Sequence, residues 1–192
     1  MDSVELTGQM EPIERLTSVV TPPSGLWNYV IDWQAAESAL GVGLPDDYKL
    51  IVELYQWGGF DDDLGIWVPP EMAPHPGADI VKRGPEIGGE VERDWTYLEY
   101  NPWMLPGATT VNASDLGLAR PVKALGWGGD SSGATGYWLI TGADPNRWPV
   151  LYAWWRGATY QLHPAGLAAF LTTKCSGEYG DDWNASSFTS WT

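Results

Sequence analysis

The sequence predicts an α+β fold, a mostly antiparallel twisted sheet with helices packed on one face, and three observations carry that prediction. Two helix-period segments follow one another between Asp32 and Trp57. Short runs of β-branched and aromatic residues, separated by Gly, Asp, Asn and Pro, begin at Pro121, and a last helix-period segment follows Pro164. Helices and antiparallel strands segregated along a chain in this way pack as layers rather than as repeating βα units. At 192 residues the chain suits one domain. A domain of this size buries about 70% of its unfolded surface, enough for a core that needs no staples.

Residues 1–25 show no sustained period and finish in Thr21-Pro22-Pro23-Ser24-Gly25, which predicts a loosely ordered N-terminal arm. A single domain is expected over 26–175, and 176–192, polar and dotted with Trp, reads as a tail. Within the domain, Trp33, Ala36 and Leu40 fall at i, i+3 and i+7, a stripe that Asp32 can cap and Gly41 can end. Pro45 suits the first position of a second helix, and Asp46 and Asp47 follow where the helix dipole favours negative charge. Tyr48, Ile51, Val52 and Tyr55 continue at helical spacing until Gly58-Gly59. The expected helices are therefore 32–41 and 45–57, with Trp33, Leu40, Leu44, Tyr48, Val52 and Tyr55 in the core.

After the acidic turn Asp61-Asp62-Asp63, residues 64–68 read as a strand ended by Pro69-Pro70, and 72–84 as loop. Ile87, Val91, Trp95 and Leu98 recur at helical spacing, and a helix over 86–97 is predicted despite Gly88-Gly89, each of which costs about 0.8–1.0 kcal/mol against Ala in a helix interior. Residues 122–127, 137–141, 150–154 and 159–162 form an expected antiparallel meander, with Asp144-Pro145-Asn146 marking one connection. The closing helix is placed at 164–173, with Leu167, Phe170 and Leu171 turned to the sheet.

Charge narrows the function classes. Twenty-five acidic against ten basic side chains give a net charge of −15, which repels nucleic acid and anionic membrane surfaces and attracts basic partners. The imbalance is concentrated between Leu16 and Val81, where ten carboxylates face the single cation Lys49. One cysteine, Cys175, cannot pair within the chain. The opening MDSVELTGQMEP lacks the pattern of a secretory signal, and no apolar run reaches the roughly 18 residues of a membrane span, so the expectation is a cytoplasmic protein.

No catalytic constellation stands out. Gly129-Asp130-Ser131-Ser132-Gly133 resembles the stretch around the nucleophile of chymotrypsin-like proteases, yet such a Ser needs an oriented His base, and His75 and His163 lie in unrelated contexts. The segment reads better as a Gly-rich hairpin loop in which Asp130 accepts local amide N–H groups. It is followed by neither the Lys-Ser/Thr pair nor the helix of a phosphate-binding loop. Two His and one Cys at scattered positions make no zinc site, and Asp61-Asp62-Asp63 lacks the alternating spacing of a calcium loop; no metal and no cofactor are expected. Of thirteen tryptophans, Trp33, Trp95, Trp138 and Trp154 sit at apolar phase and are assigned to the core. Trp57, Trp67, Trp127 and Trp148 lie at element ends, where one or two exposed rings are expected. The acids and tryptophans also admit a carbohydrate-binding or carbohydrate-active protein, although nothing singles out two carboxylates as a glycosidase pair.

The order of residues from Asp32 to Phe60, a helix led by Trp, then LG, a spacer, LP, an acidic pair, Tyr, a run ending in Tyr, and GGF, resembles the SUKH superfamily in its cell-wall-assembly-regulator (Smi/Knr-like) branch. Further matching stretches are Gly126 to Tyr137 (GWGGDSSGATGY), Pro149-Val150-Leu151-Tyr152 and Leu162 to Leu171 (LHPAGLAAFL), and together they span about 26–175. Gln56-Trp57 stand where small or Gly-Pro residues are usual. The resemblance implies a bacterial immunity protein that neutralises a cognate polymorphic toxin by direct occlusion. Its partner would be a toxin domain with a basic face, of nuclease type, and the protein itself no enzyme. Other members imply the alternative of a regulatory protein-interaction module. The expected contact surface combines the acidic segment with aromatic residues at element ends: Glu53, Asp61, Asp62, Asp63, Trp67, Trp127 and Asp130.

Overall fold

The computed structural model describes residues 4–25, 28–164, 166–180 and 183–191, with side chains from residue 12 onward. Residues 1–3, 26–27, 165, 181–182 and 192, which fall in the expected arm, domain boundary, closing helix and tail, lie outside the described residues. The fold is α+β. Six α-helices accompany a nine-stranded open sheet among these residues, with strand order β4-β3-β8-β7-β6-β5-β2-β1-β9. The strands are β1 (Gly58–Phe60), β2 (Leu64–Ile66), β3 (Pro102–Leu105), β4 (Thr109–Asn112), β5 (Ala124–Gly129), β6 (Thr135–Leu139), β7 (Val150–Trp154), β8 (Thr159–His163) and β9 (Phe188–Ser190). Only the β3–β8 pair is parallel; every other neighbouring pair is antiparallel.

The helical pair forms as its spacing predicts. In α2 (Trp33–Leu40), the Asp32 carboxylate accepts the Ala35 N–H at 2.9 Å and Gly41 ends the helix in a left-handed conformation. Pro45 stands just outside α3 (Asp46–Tyr55), one position earlier than expected, because its ψ of 139° is extended rather than helical. Tyr48, Ile51, Val52 and Tyr55 are buried; Trp33 and Leu40 are half-buried at the edge of that core. The helix stops at Gln56, so Gly58 and Gly59 are strand residues rather than a helix end. The closing helix α6 (Leu167–Cys175) has no side-chain cap of its own, and Asp47 supplies one from α3 by accepting the Ala168 N–H at 2.9 Å. Burial raises the pKa of that carboxyl above the ordinary Asp range against the opposing pull of the Ala168, Tyr48 and Leu167 amides.

Helices α2, α3 and α6 cover one face of the sheet, as expected, and helices also cover the other. Successive residues of β6 and β7 explain why: Trp138, Val150 and Tyr152 face the first core, whereas Tyr137, Leu139, Leu151 and Ala153 face a second. A sheet apolar on both faces must be covered on both. The second cover comes from the latter half of α4 (Ile80–Arg93) and from α5 (Trp95–Glu99), through Ile87, Val91, Trp95 and Leu98. Helix α4 starts six residues before the predicted 86–97 and runs through Pro85, Gly88 and Gly89. It lies along β5 where β2 leaves the strand unpaired, since β2 reaches only Gly128 and Gly129. A methyl group on Gly88 would come within 2.1 Å of the Ala124 carbonyl oxygen, and one on Gly84 within 2.9 Å of that of Gly126.

Both chain ends depart from the sequence reading. In place of a loose arm, residues 4–19 form α1 (Val4–Val19), which packs on α6 and α3 and buries Ile13, Leu16 and the following Val20. The Tyr55 hydroxyl donates to the Val20 carbonyl at 2.5 Å. In place of a polar tail, Tyr179 and Ala185 are buried and β9 completes the sheet edge against β1. Apolar side chains at useful spacing, rather than overall polarity, decide both cases.

Candidate protein-binding site

The β1–β2 connection is a three-residue turn, Asp61-Asp62-Asp63, with Phe60 opposite Leu64. Asp61 and Asp62 take left-handed φ values of 51° and 58°, a conformation that Asp tolerates better than most residues because its short polar side chain bonds locally. Each carboxylate in the turn has its own donor. Asp61 accepts the Ser187 hydroxyl at 3.3 Å, Asp62 the Trp191 indole N–H at 2.7 Å, and Asp63 both the N–H and the hydroxyl of Ser131 at 3.0 and 2.6 Å. One acidic turn therefore ties two segments, the β5–β6 loop and the residues flanking β9, to the end of the sheet.

The β5–β6 loop forms the adjoining wall. Asp130 accepts the Ser132 hydroxyl at 2.7 Å and the Ala134 N–H at 2.9 Å on one oxygen, and the Tyr152 hydroxyl at 2.5 Å on the other. Ser131 and Ser132 thus donate to carboxylates, while His163 sits beside Thr173 at 3.5 Å and the His75 ring stands 5.7 Å from Trp57. Between the acidic turn, this loop and α6 lies a groove of about 340 Å³. Asp63, Asp130, Tyr152, Trp154, Lys174 and Trp183 line it. The Lys174 ammonium lies 5.5 Å from the Tyr152 ring and 5.1 Å from the Trp183 ring, and its side chain is only 5% exposed. Trp154, assigned to the core from sequence, is 40% exposed at the mouth, with its indole N–H donating to the Ser132 carbonyl at 3.3 Å.

Asp63 and Asp130 share this groove, and Asp130 and Trp67 share a second depression of about 490 Å³ that reaches Arg83 and Trp155. Trp67 is half-buried under the Arg83 guanidinium, 5.9 Å from its ring. Glu53 is exposed on α3 and accepts the Trp33 indole N–H at 3.0 Å; it lines neither depression. Trp127 is not a surface contact. It is fully buried between Tyr152 and Phe170, because the irregularity at Gly126–Gly128 turns it inward and Gly136 leaves room beneath its ring. Sequence reasoning missed Trp154, Lys174 and Trp183; the one available signal was the place of Trp154 as the last residue of a strand before a Gly-containing turn.

The remaining chemistry is quiet. Burial pushes the Cys175 thiol up to about 12, against the pull of the Lys174 charge, so it stays protonated at neutral pH. Among the described residues no group of three or more His, Cys, Asp or Glu side chains is placed to hold a metal ion, and no helix is long and apolar enough to cross a membrane. No protein-family model, no curated protein and no solved structure matches the chain.

Proposed function

We propose that this chain is a cytoplasmic immunity protein of the SUKH type, which binds a toxin domain through the acidic end of its sheet and covers the toxin's basic cleft. One observation carries the reading furthest: an exposed tryptophan, Trp154, stands at the mouth of a groove walled by Asp63 and Asp130, beside the acidic turn, on a chain of net charge −15. Aromatic anchors rimmed by charge supply the two things an interface needs, buried area at its centre and long-range attraction at its edge. The Ser131 and Ser132 hydroxyls serve to fasten loops, which supports binding rather than hydrolysis. A regulatory module with another basic client would use the same surface.

The test is binding kinetics at two salt concentrations against the product of any toxin gene found beside the gene for this chain. Replacing Asp61, Asp62 and Asp63 by Asn keeps an acceptor at each position and removes three charges, so association should slow and its salt dependence flatten. Trp154→Ala should act on dissociation instead, raising its rate by tenfold or more if the ring is an anchor worth about 1.4 kcal/mol or more. Unchanged association in the triple Asn variant at low salt would reduce the acidic turn to a solvated hairpin. A ligand of the glycan class, rather than a protein, would show binding that Trp154→Ala abolishes and the Asn variant leaves intact.

A further inference from the structure

A third concavity, of about 450 Å³, opens on the β9 edge of the sheet. Its corner is made by Trp57 and Trp191, whose rings stand at 74° with centroids 4.9 Å apart. Tyr29, 42% exposed, supplies a third ring, Met72 and Pro74 an apolar wall, and Glu71 the single carboxylate among the described residues of the lining, which include no cation. The Trp191 indole is held. The Trp191 N–H donates to Asp62, its backbone N–H donates to the Trp57 carbonyl at 3.2 Å, and its ring lies where Gly59 and Gly65 have no side chains.

The backbone is strained at the same place. Gln56, which also lines the concavity, has φ 61° and ψ −151°, a region that belongs almost wholly to glycine. This non-glycine residue ends α3 abruptly and sets the direction in which the next residue, Trp57, enters the corner. Such strain persists only where surrounding structure holds it, and ligand clamps are one such setting.

We propose that this corner binds a free small-molecule cation carrying a fully methylated ammonium group. Aromatic faces attract cations through their quadrupoles, and Glu71 adds a counter-charge. The choice among cations follows from hydrogen-bond counting. A guanidinium brings five N–H donors and a primary ammonium three, which Glu71, Gln56 and Ser190 of the lining would have to meet at the expense of contact with the rings. A trimethylammonium group has no N–H to satisfy and presents methyl groups to Met72 and Pro74. The site stands apart from the Trp154 groove and does not depend on the immunity reading.

Choline and tetramethylammonium are the probes, followed through the indole N–H resonances of the full chain, with the uncharged choline isostere 3,3-dimethylbutan-1-ol as control. Choline in the millimolar range should shift the Trp57 and Trp191 signals, and the isostere should bind at least about fivefold more weakly, the loss of roughly one cation–π contact. Glu71 is exposed, so Glu71→Gln folds and should weaken choline by a similar factor while leaving the isostere unchanged. Trp57→Leu, checked for folding by its remaining methyl spectrum, should abolish the shift at Trp191. Equal binding of choline and isostere, no shift with either cation, or binding only when the trimethylammonium sits on a lysine within a peptide would each overturn the proposal.

Discussion

Helices α3 and α4 are both fixed to the sheet, α3 by large side chains alone and α4 also by close approach of its backbone. Helix α3 presents a stripe of large side chains: Tyr48 is fully buried, sets its ring edge-on to Trp33 and Trp138 at 5.9 and 5.2 Å, and donates its hydroxyl to the Trp67 carbonyl at 2.8 Å. Helix α4 buries Ile80, Ile87 and Val91, and adds an absence of side chains at Gly84 and Gly88, which brings its backbone against the carbonyl oxygens of Gly126 and Ala124. A helix can be held by what its side chains fill or by how closely its backbone approaches. Ile87 and Val91 give α4 a hydrophobic period as well, but the close approach at Gly84 and Gly88 leaves none.

The largest expected effect breaks the α3 side. Tyr48→Ala should cost about 3–5 kcal/mol in a denaturant melt, in the range of buried aromatic truncations, and a loss below about 1 kcal/mol would mean that α3 is not anchored by its stripe. On the α4 side, Gly88→Ala adds a single methyl group yet should destabilise by about 1–3 kcal/mol, because the methyl meets backbone that cannot rotate away. The adjacent glycine sharpens the contrast. Gly89 has nothing within 4 Å of a built Cβ and no left-handed φ, so Gly89→Ala should stabilise by about 0.5–1 kcal/mol through helix propensity. Neighbouring, chemically identical substitutions of opposite sign would establish close approach as the cause; the same sign at both would refute it.

The smallest effect is electrostatic and confined to the α2–α3 connection. The Glu37 carboxylate accepts the Leu44 N–H at 2.9 Å and meets Lys49 at 2.6 Å. Burial alone would raise its pKa, but the Lys49 hydrogen bond, the Leu44 amide and the Lys49 charge together hold it below the usual Glu value. A depressed carboxylate contributes stability that is present above its unfolded pKa of about 4.5 and is lost as pH falls through its folded value. Glu37→Gln should therefore reduce the acid-side loss of stability by a few tenths of a kcal/mol, as fits an ion pair partly open to water, and leave the neutral-to-acid slope otherwise intact. Melts at a series of pH values would show it.

The same division explains what the sequence made legible. The stripes of α2, α3 and α6 and the meander β5 to β8 were readable because period and turn residues agree there with the final packing. Ile13, Leu16 and Val20 also stand at helical spacing, but Gly8 and Pro12 masked the start of α1 and the polar stretch around Thr17-Ser18 diluted it. Strands β3 and β4 flank Pro106-Gly107, an ordinary turn signal. In the candidate site, the acidic turn was legible as a turn and as charge. That each carboxylate already holds a donor from a distant segment was not, since Ser131, Ser187 and Trp191 are tens of residues away, and no local pattern encodes Lys174 between Tyr152 and Trp183.

Part of the abundance of tryptophan and of glycine has a single origin. Trp67 lies over Gly126, Trp127 over Gly136, Trp154 over Gly157 and Trp191 over Gly59 and Gly65, and in each case a methyl group on the glycine would come within 3.0 Å of the ring. The indole fills the room that the missing side chain leaves, as aromatic residues do across from glycines in designed sheets. Each pair is thus a single unit of inheritance: a side chain gained at Gly136 is tolerated only if Trp127 shrinks, and a smaller residue at Trp127 opens a cavity unless Gly136 grows. Among descendants of this sequence, the two members of each pair should change together or not at all.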